Sequence, residues 1–99
     1  GPVSSKEQTV ETTGAEFRLR PEISVAQTDY GMVLLDGRSG EYWQLNDTAA
    51  LIVQRLLDGH SPADVAQFLT SEYEVERTDA ERDIAALVTS LKENGMALP

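Results

Sequence analysis

Few residues in this chain could do chemistry on a substrate. Its 99 residues hold one histidine, His60, and no cysteine. Without a thiol there is no thiolate nucleophile, no thiolate metal ligand and no disulfide. His60 stands between Gly59 and Ser61, a turn position beside a helix start, where a solvated ring is the ordinary reading rather than a general base. Asp36, Asp47 and Asp58 fall at the ends of separate elements and match neither a calcium loop nor a Glu-x-x-His pair. The stretch Gly37-Arg38-Ser39-Gly40 is too short and too poor in glycine to cradle a phosphate. This inventory predicts no catalytic residue, no metal and no cofactor.

Two other groupings are suited to binding. Glu72, Glu74, Glu76, Asp79, Glu81 and Asp83 gather around the start of a predicted helix. Carboxylates there interact favourably with the helix dipole and aid solubility, and the same rim would attract a Lys-rich peptide. The two readings are compatible. A net charge of −9 argues against nucleic acid, whose phosphates are bound by Lys and Arg; it suits a cationic partner or solubility alone. The second grouping is Glu41-Tyr42-Trp43-Gln44-Leu45, which contains the only tryptophan. As a strand it would turn Trp43 and Leu45 toward a core and Tyr42 and Gln44 outward. At a sheet edge its unpaired N–H and C=O groups would template another strand. Lys, Pro and bulges commonly blunt such edges; none occurs here, so the edge is open to a partner.

These residues need elements to position them. Ile23 to Thr28 alternates loosely between apolar and polar, as a half-buried strand does, and Asp29-Tyr30-Gly31 supplies a turn. Met32 to Leu35 is a second strand, and the Asp36-to-Gly40 loop leads to the third at Glu41–Leu45. Loops this short exclude parallel crossovers, so the three strands form an antiparallel meander.

Three helices follow. Asn46 caps the first, over 47–57, with Ala49, Ile52, Val53, Leu56 and Leu57 as its apolar stripe and Asp58-Gly59 as its stop. Ser61-Pro62-Ala63-Asp64 opens the second, whose stripe is Val65, Phe68 and Leu69, closed by Tyr73. Thr78-Asp79-Ala80-Glu81 reads as a capping box for the third, which continues through Ile84, Leu87, Val88 and Leu91 to Asn94-Gly95. The predicted fold class is α+β: a three-stranded antiparallel β-meander followed by three helices, with helices two and three placed as in a winged helix-turn-helix.

The chain divides into a polar N-terminal segment over 1–17, expected to be mobile, and one domain over 18–99. Gly1-Pro2 reads as the scar of a protease-cleavage site. The roughly 80 remaining residues suffice for a small core. No apolar run approaches the ~20 residues needed to cross a bilayer. That, with no signal peptide, makes the cytoplasm the expected compartment and excludes a membrane partner.

Several motifs occur together: Leu19-Arg20-Pro21, Val33 to Asp36, Gly40-x-Tyr42-x-x-Leu45-Asn46, Thr48-Ala49, Ile52, Leu57-x-Gly59, Ser61-Pro62, Tyr73-x-Val75 and Leu91-x-x-x-Gly95. From Leu19 to Gly95 this pattern resembles the PqqD-like family of RiPP precursor-peptide recognition elements. The Leu-Arg-Pro start and the Tyr-Trp-Gln-Leu-Asn strand look most like the stand-alone recognition proteins of lasso-peptide clusters. The resemblance implies a non-catalytic module that binds the leader of a ribosomal precursor as a strand added to the third strand. Its apolar side chains would enter a groove between that strand and the third helix. Carried over, Glu41, Tyr42, Trp43, Gln44 and Leu45 supply the backbone ladder. Trp43 and Leu45 line one wall, and Ile84, Leu87, Val88 and Leu91 the other; Asp83 is placed to pair with a leader Lys or Arg. The implied partners are the precursor leader, a leader peptidase and an ATP-dependent macrolactam synthetase. The polar stretch from Val3 to Glu16 is longer than the family usually carries.

Three alternatives remain. Within the family, the chain could be a chaperone feeding a radical-SAM enzyme of pyrroloquinoline quinone synthesis. A winged-helix DNA binder would need Lys and Arg on the exposed face of the third helix, which shows Asp79, Glu81, Asp83 and Glu93 against Arg82 and Lys92. A small hydrolase lacks its nucleophile and base.

Overall fold

The computed structural model describes residues 17–99. Three strands, β1 (Ile23–Thr28), β2 (Gly31–Asp36) and β3 (Tyr42–Leu45), precede three helices, α1 (Asp47–Leu57), α2 (Pro62–Glu72) and α3 (Arg77–Glu93). The sheet is an antiparallel meander in the order β1-β2-β3. Period-2 alternation then sorts the side chains. Met32 and Leu34 of β2 are fully buried, and across the ladders they face Gln27, Val25, Leu45 and Trp43, so those residues share the inner face. Leu35 and Tyr42 pair on the outer face and stay exposed.

Turn chemistry sets the hairpins. Gly31 has φ +146, and a Cβ there would lie 2.0 Å from the carbonyl oxygen of Leu45. Only glycine lets the β1–β2 turn come this close to the end of β3. In the β2–β3 loop the Asp36 carboxylate accepts the Arg38 N–H at 2.8 Å and the Ser39 N–H at 3.4 Å. The Arg38 N–H, followed by lesser contributions from Ser39 and the Arg38 charge, holds the Asp36 carboxyl below its ordinary value, against some desolvation.

The helices start largely where their caps predict. Asn46 accepts the Ala49 N–H at 2.9 Å. Ser61 and Asp64 close a capping box, with Pro62 in the first turn. α3 departs from expectation: it opens at Arg77, one residue ahead of Thr78, and its N-cap, Glu76, makes no side-chain cap. Glu81 does not reach back to the backbone as a capping box requires. It binds Arg77 Nε at 2.9 Å, while Arg77 also donates to Gln67 Oε1 and the Ala63 carbonyl. The guanidinium ties the first turn of α3 to α2, which outweighs a local cap.

The core runs between the inner sheet face and the helices. α1 packs on β2 and β3, and α3 packs on α2. Ala50, Ile52, Val53 and Leu56 form the buried stripe of α1, with Ala49 and Leu57 at its margins. Tyr73 does not close α2 over the core; it is the C-cap residue and half of it is exposed. Phe17, the last residue of the segment expected to be mobile, is buried in the core. Leu19 bridges to Ala97, and Arg20 N–H and Arg18 C=O bond to Met96 and Leu98, so this run holds the C-terminal tail in place. The mobility expected of 1–16 concerns residues outside those described.

Candidate binding site at the third strand

The β2–β3 register decides which main-chain groups of β3 are free. In an antiparallel pair, hydrogen-bonded and non-hydrogen-bonded residue pairs alternate. Asp36 N–H donates to Glu41 C=O at 2.8 Å, and the same register pairs Leu34 with Trp43 and Met32 with Leu45. Glu41, Trp43 and Leu45 therefore turn their backbone groups toward β2. Tyr42 and Gln44 turn theirs away, along the outer rim of an edge strand. Glu41 itself precedes the strand, whose first residue is Tyr42. Of the five residues expected to offer a ladder, two present backbone groups, Trp43 presents part of its side chain and Leu45 is buried.

Those side chains lie as predicted. Leu45 is buried, Trp43 is half-buried against the core beside Leu34, and Tyr42 is 67 % exposed on the opposite face. Trp43 thus stands at the rim with part of its indole still accessible, next to the free backbone of its two neighbours.

The residues expected on α3 do not share one face. Ile84 and Leu91 are buried in the core, while Leu87 and Val88 are half-buried against it. At about 100° per residue, Asp83 and Leu87 lie on one flank, and Val88 is roughly 140° from Asp83. Val88 lines an open pocket of about 420 Å³ with Ile84, Ala85, Pro62 and Ala63, on the side of α2. Asp83 is exposed. β3 is held by β2 and α1, and α3 by α2, with little direct packing between β3 and α3. Each is anchored separately, so the two can serve as independent walls.

Nothing at this site resembles a reaction centre. Among the described residues no cluster of three or more His, Asp or Glu could hold a metal. His60 is exposed in the α1–α2 turn, where its N–H donates to the Arg55 carbonyl. What the site offers is a strand edge, an accessible indole and a helix flank ending in a carboxylate.

The family model for coenzyme PQQ synthesis protein D (PqqD) matches residues 31–97, more than half of the chain. The chain belongs to the PqqD family. Two solved structures are similar to it. TbiB1 in complex with the TbiA(beta) leader peptide superposes with a TM-score of 0.76 at 25 % identity, covering 82 % of this chain and 94 % of that one. The PqqD truncation of Methylobacterium extorquens PqqCD, described as a functional stand-alone RiPP recognition element, gives a TM-score of 0.64 at 23 % identity. That match covers 84 % of this chain and 88 % of the other and shows the shared fold. No curated relative matches the chain in sequence. The PqqD-family match begins at Gly31, so it includes β2, β3 and the helices and leaves out β1.

Proposed function

We propose that this PqqD-family chain is a non-catalytic recognition module that binds the leader of a ribosomally made precursor peptide by strand addition along β3. The observation that carries this reading is the outward backbone of Tyr42 and Gln44 on an edge with no Lys, Pro or bulge. Strand addition takes affinity from such main-chain bonds and specificity from pockets for alternate side chains. In this reading Trp43 and the Asp83–Leu87 flank of α3 line the space for those side chains. The similarity to TbiB1, whose structure contains a leader peptide, supports the same assignment.

The finer reading is lasso-peptide biosynthesis, with the bound leader presented to a leader peptidase and an ATP-dependent macrolactam synthetase. Its support is the better superposition on TbiB1. The family description favours a second reading, a peptide chaperone in pyrroloquinoline quinone synthesis. DNA binding is disfavoured because Arg77 and Arg82 of α3 are paired with Glu81 and Asp79 at 2.9 and 3.0 Å, leaving few cations for phosphates.

Titration calorimetry tests the proposal with two peptides, the leader of a precursor encoded beside this gene and a pyrroloquinoline quinone precursor peptide. Saturable 1:1 binding with a negative heat-capacity change is expected for the first. Binding of the second alone would establish the chaperone reading. No binding of either at high micromolar concentration would overturn strand addition.

A further inference from the structure

The sheet has a second edge, and the same register logic describes it. Gly37 N–H donates to Glu22 C=O at 2.9 Å, so in the β1–β2 ladder Ser24, Ala26 and Thr28 turn their backbone groups toward β2. Val25 and Gln27 turn theirs outward. Among the described residues no strand covers them. β1 carries no charged residue and no proline, although a quarter of the chain is charged. Five of its six residues are exposed, including Val25 at 42 % on the inner face. Natural edges are rarely left so uncharged and unblunted unless something covers them.

The two ends of β1 complement one another. Its start is apolar on the inner face, with Ile23 and Val25, and is flanked by Arg20 and Arg38, which share the single carboxylate of Glu22 at 3.5 and 3.7 Å. Its end opens on a hollow of about 280 Å³ between β1 and α1, lined by Gln27, Thr28, Leu51 and Gln54. Asp47 lines the same hollow, and Asp29 follows in the turn. One end thus has apolar side chains and two arginines, which Glu22 and the Asp36 carboxylate opposite Ile23 offset. The other has a vacant hollow and two carboxylates.

We propose that β1 is the interface for a second copy of this chain, joined antiparallel across a twofold axis into one six-stranded sheet. Outward groups meet outward groups, and the apolar start of one strand reaches Gln27 of the other, when Val25 lies opposite Val25 or opposite Gln27. Either sets Ile23 or Val25 of one copy opposite Gln27 of the other, beside the hollow. Either brings Arg20 of one copy toward the Asp29 end of the other. A twofold interface needs a self-complementary patch, and an edge whose two ends complement each other is one. The arrangement leaves β3 free at both outer ends. This proposal stands apart from the leader-binding reading and does not depend on it.

One six-residue strand per copy makes a small interface, in the class below ~1,200 Å² that forms weak, reversible assemblies. Sedimentation equilibrium at physiological ionic strength should therefore show the mass rising from 10.8 kDa toward twice that value, across loading from ~10 μM to ~1 mM. Val25→Pro removes an outward N–H without touching the β1–β2 ladder, so it should keep the wild-type far-UV spectrum and stay monomeric. Asp29→Arg should weaken association at least several-fold, and adding Arg20→Asp should restore it. A wild-type chain that stays monomeric at ~1 mM would overturn the proposal. So would a folded Val25→Pro that associates as wild type does, or a dimer that an excess of bound leader dissolves, since that would place the contact at β3.

Discussion

β1 and β3 are both edges of one sheet, and both leave alternate backbone groups unpaired. They differ in what stands behind them. β3 is short, with an indole and a buried leucine turned inward, and it lies within the span that matches the PqqD family. β1 is longer, almost wholly exposed, and lies outside that span. Open backbone alone would accept a strand at either place, since main-chain groups look alike everywhere. The side chains behind the edge decide which strand is kept. In the two proposals, the side chains at β3 receive a foreign peptide with apolar anchors, and those at β1 receive the other end of the same strand.

The sharpest way to break this comparison is Trp43→Ala. Buried aromatic anchors commonly contribute ~2 kcal/mol or more to a peptide interface, so leader affinity should fall about 30-fold in calorimetry. An unchanged affinity would mean that β3 is no better equipped than β1. Leu87→Asp should have a comparable effect, because a carboxylate set among leader side chains costs ~2 kcal/mol even when partly hydrated. Val88→Asp, on the opposite flank beside Pro62 and Ala63, should weaken binding less. Circular dichroism must first show both variants folded, and equal losses would mean the leader covers both flanks of α3.

Gln44→Pro and Val25→Pro form a matched pair, each deleting one outward N–H from one edge. Gln44→Pro should weaken the leader about tenfold, one hydrogen bond plus displacement of the added strand, while Val25→Pro leaves it unchanged. The reverse outcome would move the leader to β1. A smaller effect is expected from Asp83→Lys, which should slow leader association several-fold at low salt and little once the Debye length shrinks below ~8 Å. Stopped-flow rates indifferent to both salt and Asp83 would leave the acidic rim to helix capping and solubility.

The smallest effect concerns the loop that delivers β3. Asp36 has a lowered carboxyl pKa in the folded chain, so its contribution to stability is complete above its unfolded value near 3.8 and is lost as pH falls through the lower folded value. Asp36→Ala should therefore be slightly less stable than the wild type near neutrality, and the difference should shrink as pH falls below the unfolded value, where the wild-type carboxyl is protonated too. A difference that does not change with pH would show that the Arg38 and Ser39 bonds to the carboxylate are not coupled to folding.

Much of this architecture was legible because its signals are local. Asn46, Ser61-Pro62 and the short polar loops each dictate a boundary through their own backbone chemistry, and the structure keeps those boundaries. The start of α3 was not, because Thr78-x-x-Glu81 has the form of a capping box while Glu81 is engaged by Arg77. That choice depends on α2 lying within reach of the guanidinium. Phe17 was hidden for a related reason: a lone aromatic in a polar run carries no period, and only the assembled core gives it a place to pack. At the candidate site, the alternation of Trp43 and Leu45 against Tyr42 and Gln44 was readable from strand geometry. Which of them face outward with their backbone was not, since that depends on the register set by Asp36 and Glu41. Sequence grouped Val88 with Leu87 by apolar spacing, and only the position of α2 separates them.

The alternation along β3 also has an evolutionary consequence. Trp43 and Leu45 answer to the core, so changes there risk the fold. Tyr42 and Gln44 offer main-chain atoms that no codon alters short of proline, so their side chains can drift with little penalty to the ladder. Under the strand-addition proposal, a lineage acquiring a new precursor therefore keeps its docking rail by default. It can retune preference mainly at the indole rim and along the α3 flank, which narrows the positions where recognition and cargo would covary.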